Sequence, residues 1–423
     1  MKKVGVAVLG LGVVGGGTCK ILLDRREQIK DEYGVDVEIV AVLDRIASRA
    51  TDIGLSASIV AQSMDEIALN PKVDIVVECM GGVEPAKTFL LKALEAGKSI
   101  VTSNKEMFAK SWPELERAAA KTGAGLYYEA TTGGGMPIIR MMTQAMQANN
   151  ILEIKAIING TTNYILTRMT EEGAPYADVL KDAQALGFAE ANPVADVEGY
   201  DSSYKLSILS SLAFNKRLPM DLIYREGITK ISPIDIAVGK EMGFIVKLLA
   251  IAKQKDGKYE VRVNPVFLPK HHPLASVNGA FNAVFVVGDA VGDIMLYGQG
   301  AGALPTGSAI VSDIVFCARQ ESHARYSEME SLVSPKQIVE DFESEYYLRL
   351  NVRDVSGVIA DIANVFKKHH VSISRMRQDE GGEIVPIIFF THKSREKAME
   401  KAIEDIAKLN NVVSVENVIR VER

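Results

Sequence analysis

Residues 3–15 read Lys-Val-Gly-Val-Ala-Val-Leu-Gly-Leu-Gly-Val-Val-Gly, and this run decides the fold. Lys3 to Leu9 is a continuous apolar strand that enters Gly10, Gly12 and Gly15 directly, and a helical pattern follows from Val14 to about Lys30. Glycine suits these positions because the first turn is tight, the backbone must approach a pyrophosphate, and the helix must pack close on its strand. Three spaced glycines alone describe many turns. The strand before and the helix after make them a dinucleotide fingerprint.

The next strand, Val37 to Leu43, ends at Asp44-Arg45, where an acid would hold the ribose 2′-hydroxyl of NAD and an arginine the 2′-phosphate of NADP. Arg45 and Arg49 tilt the reading toward NADP, provided Asp44 turns aside. Strands then alternate with helices: Val73 to Cys79, Ser99 to Thr102 before Lys105, and Leu126 to Glu129 before a Thr-Thr-Gly-Gly-Gly loop. That alternation predicts a parallel doubly wound sheet with ligands beyond the carboxyl ends of its strands, which is where Lys105 lies. Glu129 beside a loop of free carbonyls makes a hard-cation ligand set, and a tight glycine turn without metal is the alternative.

Composition bounds the rest. At 423 residues, 47% hydrophobic and 24% charged, the chain has room for two or three domains. A net charge of −6 without a Lys/Arg run argues against nucleic acid. The N-terminus passes from a short apolar run into the glycine turn, and no stretch is long enough to span a bilayer, so no membrane role and a cytoplasmic location are expected. Cys19, Cys79 and Cys317 are widely spaced and lack a CxxC pair, which indicates neither disulfides nor zinc. The pairs His271-His272 and His369-His370 lack metal-ligand spacing and are expected at solvated surface.

After Pro137 the alternation breaks down. A helix over 138–149, a strand over 151–158 and the donor-rich start Asn159-Gly160-Thr161-Thr162-Asn163 lead into an α+β domain. Its centre is the stretch 187–212, where an acid-rich loop runs into a helix. There Asp201, Lys205, Ile208, Leu209 and Leu212 recur at helical spacing, so the charged pair extends an apolar stripe and faces inward. A buried ammonium needs partners, among Asp201, Glu190, Asp196 and Glu198. Desolvation lowers its proton affinity, which suits a proton donor to a developing alkoxide; a structural ion pair at a domain seam is the alternative. A glycine-rich segment at 298–302 opens a further helix to about Arg319. A charged, Ser-rich linker follows, and from Tyr346 the order βαββαβ reads as a ferredoxin-like unit.

The motifs VTSNKE (101–106), YYEATTGGGMP (127–137), INGTTNYIL (158–166), GFAEANPVADVEGYDSSYKL (187–206) and GQGAGALPTGSA (298–309) follow the opening glycines in an order that resembles a homoserine dehydrogenase with a C-terminal ACT domain. The resemblance implies an α/β fold with three parts. A Rossmann-type dinucleotide domain takes 1–137 and is completed by helix 303–320, a substrate and dimerisation domain takes 138–302, and a linker over 321–345 precedes an ACT domain over 346–423. It further implies Lys205 as proton donor, Lys105 as a second lysine at cofactor and substrate, Glu190 and Asp201 on the substrate, and Gly160 with Thr161 at its carboxylate. Val13, Val14, Gly187 and Gly302 join Gly10, Gly12, Gly15, Arg45 and Lys105 as cofactor contacts. A monovalent cation, usually sodium, is implied at the Glu129 side chain and the backbone of Thr132, Gly134 and Met136. Thr132 and Met136 replace the aliphatic residues common there, but a backbone carbonyl contact is insensitive to that change.

The implied reaction is reduction of L-aspartate 4-semialdehyde to L-homoserine with NADP or NAD, and its reverse, in threonine, methionine and isoleucine biosynthesis. A homodimer or homotetramer regulated through the ACT unit by L-threonine near Asp354 to Gly357 is also implied. Two other classes compete. A phosphorylating aldehyde dehydrogenase needs a thiolate, and no cysteine lies near a histidine in sequence. A non-catalytic sensor has no use for a buried acid such as the Lys205 ammonium.

Overall fold

Four apolar runs near the N-terminus form strands buried over most of their length, which is how a parallel sheet covered on both faces reads in sequence. They are β1 (Lys2–Leu9), β2 (Val35–Leu43), β3 (Ile75–Glu78) and β4 (Ser99–Thr102), followed by the short β5 (Leu126–Tyr127). All pair in parallel in the order β2-β1-β3-β4-β5. Helices α1 (Val13–Tyr33), α2 (Ser48–Asp52), α3 (Met64–Leu69), α4 (Ala86–Glu95) and α5 (Lys105–Thr122) alternate with them. Strand order reverses between β1 and β3, whose last residues Leu9 and Glu78 are paired. The crevice of a doubly wound sheet therefore opens past Gly10 on one side and Glu78 on the other.

The computed structural model describes residues 1–323, 331–378 and 381–423, so part of the expected linker, residues 324–330, lies outside the described residues. Two compact units are present. The first comprises Met1–Ile154, Tyr204–Asp221 and Phe281–Val333; the second comprises Lys155–Ser203, Leu222–Ala280 and Ser334–Arg423.

Beyond the parallel sheet the chain continues as α6 (Ile138–Arg140), β6 (Ile151–Ile157), α7 (Gly160–Glu172), α8 (Tyr176–Ala185), α9 (Val194–Val197) and α10 (Tyr200–Phe214). It then forms β7 (Tyr224–Arg225), α11 (Pro233–Glu241), the hairpin β8 (Phe244–Lys255) and β9 (Lys258–Pro269), the hairpin β10 (Phe281–Gly288) and β11 (Gly292–Gln299), and α12 (Ala303–Arg319). The C-terminal elements are β12 (Glu343–Arg353), α13 (Val358–Lys368), β13 (Ile373–Gln378), β14 (Ile384–Thr391), β15 (Ser394–Arg395), α14 (Glu396–Ile406) and β16 (Val412–Val421).

One expectation about helices is corrected and another is extended. The continuous helix over 138–149 is one α-turn that widens into a π-turn over Met141–Ala145, closed by Met146 N–H donating to Met141 O at 2.9 Å. The Thr143 hydroxyl donates to Ile139 O at 2.7 Å, a back-bond that bends helices at such points. In α10 the apolar stripe is only part of the buried surface: Ser202, Ser203, Ser207, Ser210 and Ser211 are buried as well. Their hydroxyls are accommodated by back-bonds such as Ser210 to Leu206 O at 2.6 Å and Ser211 to Ser207 O at 2.6 Å.

In the first unit α12 packs on α1, and a Cβ at Gly17 would stand 2.3 Å from Ala303 O, so close approach of the two helices requires glycine there. In the second unit a sheet runs β6-β8-β9-β16-β12-β14-β13. Its last four strands, with α13 and α14, are the expected βαββαβ unit around a core that includes Leu348, Ile362, Phe389 and Met399. β16 also joins β9 in parallel at Arg420 and Val421, so this sheet continues that of β8 and β9.

Buried charges line the junction. Asp235, fully buried near the start of α11, accepts from the Tyr347 hydroxyl at 2.7 Å, Arg349 Nε at 2.8 Å and Asn417 Nδ2 at 2.9 Å. Glu422 accepts from Lys253 Nζ at 2.6 Å and from Arg262 Nη2, and Arg420 is paired with Glu396. Charges removed from water persist only with such partners.

Two histidines expected at solvated surface have defined roles. His272 Nδ1 accepts from Leu274 N–H at 3.1 Å and caps a short 3-10 turn, and His369 Nε2 lies 2.9 Å from Asp405 Oδ2. Cys19 and Cys317 are buried, and burial pushes both thiols up to about 12. Among the described residues no helix is long and apolar enough to cross a membrane.

Candidate active site

The glycine turn after β1 is built as a cradle. Gly10 has φ 86°, and a Cβ there would stand 2.9 Å from Cys79 O. A Cβ on Gly15 would stand 1.9 Å from Gly10 O, whereas Gly12 faces open space. Gly12 caps α1 without a side-chain hydrogen bond, and the first turn carries no acid. The N–H groups of a 21-residue helix thus begin where an anion can approach, with Val13 exposed and Val14 half-buried beside them. These features fit a pyrophosphate.

Asp44 at the end of β2 turns back toward this loop: Oδ2 accepts from Leu11 N–H at 2.6 Å and Oδ1 from Ile46 N–H at 2.8 Å. Burial opposes its ionisation, but the Ile46 and Leu11 amides and Arg49 outweigh burial and hold the carboxyl below its usual range. Arg45 is exposed, and Arg49 Nη1 lies 3.4 Å from Asp44.

Lys105 is the first residue of α5, whose cap Asn104 accepts from Met107 N–H at 3.1 Å. Lys205 is 8% exposed on α10 and Asp201, one turn earlier, 6%. The neighbour of each lysine ties the two helices: Tyr204 hydroxyl donates to Glu106 Oε1 at 3.2 Å. Neither Tyr204 nor Glu106 stood out in the sequence, although Glu106 follows Lys105 and Tyr204 precedes Lys205.

Glu129 is 3% exposed, and its two carboxylate oxygens accept from Ile139 N–H at 2.7 Å and Arg140 N–H at 2.9 Å. Burial, and then the nearby Asp313, push it up to about 7. Gly134 has φ 58°, and a Cβ there would meet Gly300 backbone at 2.5 Å; Met136 O accepts from Ile138 N–H at 2.9 Å. The buried Thr132 hydroxyl has no hydrogen-bond partner among the described residues. An oxygen-only loop with a buried carboxylate and an orphaned hydroxyl fits a hard monovalent cation. Among the described residues no three His, Cys, Asp or Glu side chains come together as a metal cluster.

In the second unit Asn159 organises the start of α7. Its Oδ1 accepts from Thr162 N–H at 2.8 Å, and its Nδ2 donates to Asp196 Oδ1 at 2.7 Å and Asp201 Oδ2 at 2.9 Å. Gly160 opens the helix where a Cβ would stand 2.8 Å from Ala280 O, and Thr161 hydroxyl donates to Phe188 O at 2.6 Å. Gly187 has φ 78° and Glu190 is exposed. Of the loop acids expected near Lys205, Asp196 bonds Asn159 and Glu198 accepts from the Thr229 hydroxyl at 3.1 Å.

Comparison with known proteins agrees across the whole chain. Residues 137–315 match the homoserine dehydrogenase family, 10–129 the homoserine dehydrogenase NAD-binding domain, and 346–411 the ACT domain. The homoserine dehydrogenase of Mycobacterium tuberculosis is 42% identical over 100% of this chain and 98% of its own, and that of Bacillus subtilis 36% over 100% and 99%. A homoserine dehydrogenase structure from Thiobacillus denitrificans superposes with TM-score 0.91 at 38% identity, covering 100% of this chain and 99% of that one. A hyperthermophilic archaeal homoserine dehydrogenase in complex with NADPH gives TM-score 0.63 at 27% identity, over 74% of this chain and 97% of its own. With a Gly-x-Gly-x-x-Gly cradle, two helix-borne lysines and these relatives, the chain belongs to the homoserine dehydrogenases, nicotinamide-dependent enzymes acting on the CH–OH group of L-homoserine, and carries a C-terminal ACT domain.

Proposed function

We propose that this homoserine dehydrogenase prefers NADP(H), that Lys205 moves the proton, and that the ACT domain takes L-threonine as effector. The observation that carries the catalytic assignment is the burial of Lys205 and Asp201 one turn apart on α10, where an ammonium is held at reduced hydration. When bound, the nicotinamide supplies or accepts the hydride at the substrate carbon. Lys205 donates a proton to the oxygen that becomes the hydroxyl of L-homoserine, and takes it back in the oxidation. Lys105 contacts cofactor and substrate. Glu190 and Asp201 hold the substrate ammonium, and the N–H groups of Gly160 and Thr161, which have no acceptor within α7, hold its carboxylate.

Asp44 favours NADP because both its oxygens already accept from backbone, so that the exposed Arg45 would meet a 2′-phosphate, with Arg49 turning to it from its contact with Asp44. The remaining cofactor contacts are Gly10, Gly12, Val13, Val14, Gly15, Gly187 and Gly302. Glu129, with the carbonyls of Thr132, Gly134 and Met136, would hold a sodium ion that neutralises the buried carboxylate and stiffens the loop. We place the domains at 1–137 with helix 303–320, 138–302 and 346–423, joined by 321–345, in a cytoplasmic homodimer or homotetramer serving threonine, methionine and isoleucine biosynthesis.

Regulation has a physical route within the second unit. β12 and β16 of the ACT domain grip Asp235 on α11, and α11 packs on α7, which begins at Gly160. Threonine near Asp354 to Gly357, where Gly357 has φ 93° and caps α13, would act along this route. The deciding experiment measures homoserine-dependent reduction of NADP and NAD by the purified chain, with a threonine titration of the wild type and of Asp354→Ala. Absence of activity would remove the catalytic reading, and equal threonine sensitivity in the two proteins would remove the effector site.

A further inference from the structure

Glu78 ends β3 with its side chain fully buried, at the point where strand order reverses. Its Oε1 accepts from Met80 N–H at 2.7 Å, Gly81 N–H at 3.3 Å and Asn104 Nδ2 at 3.4 Å, and its Oε2 accepts from the Thr102 hydroxyl at 2.6 Å. All four neighbours donate, so an acceptor-only carboxylate satisfies each of them. Burial raises its proton affinity, and the Thr102, Met80, Asn104 and Gly81 bonds oppose that rise.

The same few atoms set the start of α5. Asn104 Nδ2 also donates to Gly82 O at 2.6 Å, its N–H donates to Thr102 Oγ1 at 3.0 Å, and its Oδ1 caps the helix that Lys105 opens. Gly10 of the cradle stands against the backbone of Cys79, the residue after Glu78, and makes no contact with the Glu78 carboxylate there. A single carboxylate thus fastens the exits of β3 and β4 and the cap that fixes the first turn of α5.

We infer that Glu78 is a positioning residue for Lys105, joining the turn Met80–Gly82 and the α5 cap so that the lysine is held at the mouth of the dinucleotide crevice. The inference rests on the proposed role of Lys105 at cofactor and substrate. Displacement of a reacting group by about 1 Å can cost on the order of a hundredfold in rate. Glu78→Ala is therefore expected to lower kcat about 10- to 100-fold. Glu78→Gln should lose less than Glu78→Ala, because its amide oxygen can still serve Met80, Gly81 and Asn104, although the buried Thr102 hydroxyl loses the acceptor it has in Glu78.

The test is a double-mutant cycle with Lys105→Ala, read as kcat and KM alongside thermal melting. In the Lys105→Ala background, Glu78→Ala should cost less than about twofold, since the group it positions is gone. If Glu78→Ala does not fold, Asn104→Ser carries the same test, keeping an N-cap oxygen but losing the bonds to Glu78 and Gly82. Additive losses, or a Gln variant as damaged as Ala, would overturn the positioning role while leaving Lys105 in place. Full activity of Lys105→Ala alone would remove the assignment of the lysine, and this inference with it.

Discussion

Tyr204 donates its hydroxyl to Glu106 Oε1 at 3.2 Å, so the residue before Lys205 is fastened to the residue after Lys105. Lys110 reinforces the contact, with Nζ 2.6 Å from Glu106 Oε1 and 5.4 Å from the centre of the Tyr204 ring. Tyr204→Phe removes one hydrogen bond and little volume. The bond should be worth about 0.5–1.5 kcal/mol of stability, a small fall in melting temperature, and loosening of the two helices should lower kcat without changing cofactor preference. Unchanged kcat would show that the two helices keep their register without it.

Lys205→Ala should lower kcat by about two to four orders of magnitude, the usual contribution of a general acid, while cofactor affinity persists. Steady-state kinetics together with cofactor fluorescence separate the two effects. A variant with near-normal kcat and raised KM would make Lys205 a binding residue and pass the acid role to Lys105.

Cofactor choice should follow the side chains after β2. The wild type is expected to show higher kcat/KM with NADP than with NAD, and Arg45→Ala to narrow the ratio by about tenfold, the size of one charge-assisted bond at a partly exposed site. A wild-type preference for NAD would show that Asp44 leaves Leu11 and meets the ribose.

Arg349→Leu strands the buried Asp235 and should cost about 3–5 kcal/mol of stability in urea unfolding. Adding Asp235→Asn should recover much of that loss, because a neutral amide needs no counter-charge. Equal losses in the single and double variants would mean that packing, not charge, holds the ACT sheet to α11.

Stability should fall in acid as Glu422 protonates. Arg262, Lys253 and Lys155 outweigh its burial and bring it down from 4.5 to about 2. A folded-state value below the unfolded one contributes stability that is complete above about pH 4.5 and is lost as pH falls toward 2. The stability gap between wild type and Glu422→Gln should therefore be widest near neutrality and narrow across that interval. A gap independent of pH would show that the carboxylate is not ionised in the cluster.

The sequence by itself determined the strands of the parallel sheet and most of the helices, but not the change to a π-turn after Arg140 in the helix read over 138–149. Apolar runs entering Gly10 and ending near Cys79 and Thr102 read as buried strands because they alternate with helical patterns, and the donor-rich run from Asn159 marked the start of a helix. Lys205 was legible as an inward charge because helical spacing is a property of neighbours in sequence. What tertiary structure decided involves partners distant in the chain. Asp44 turns to Leu11, Glu78 binds Thr102 and Asn104, and Asp235 meets Tyr347, Arg349 and Asn417 more than a hundred residues away. The burial of α10 on its serine face was hidden for a different reason: a hydroxyl reads as polar in sequence, although the carbonyl one turn back satisfies it once the helix forms. Periodicity reports which way a side chain points, and only the folded chain supplies what it meets there.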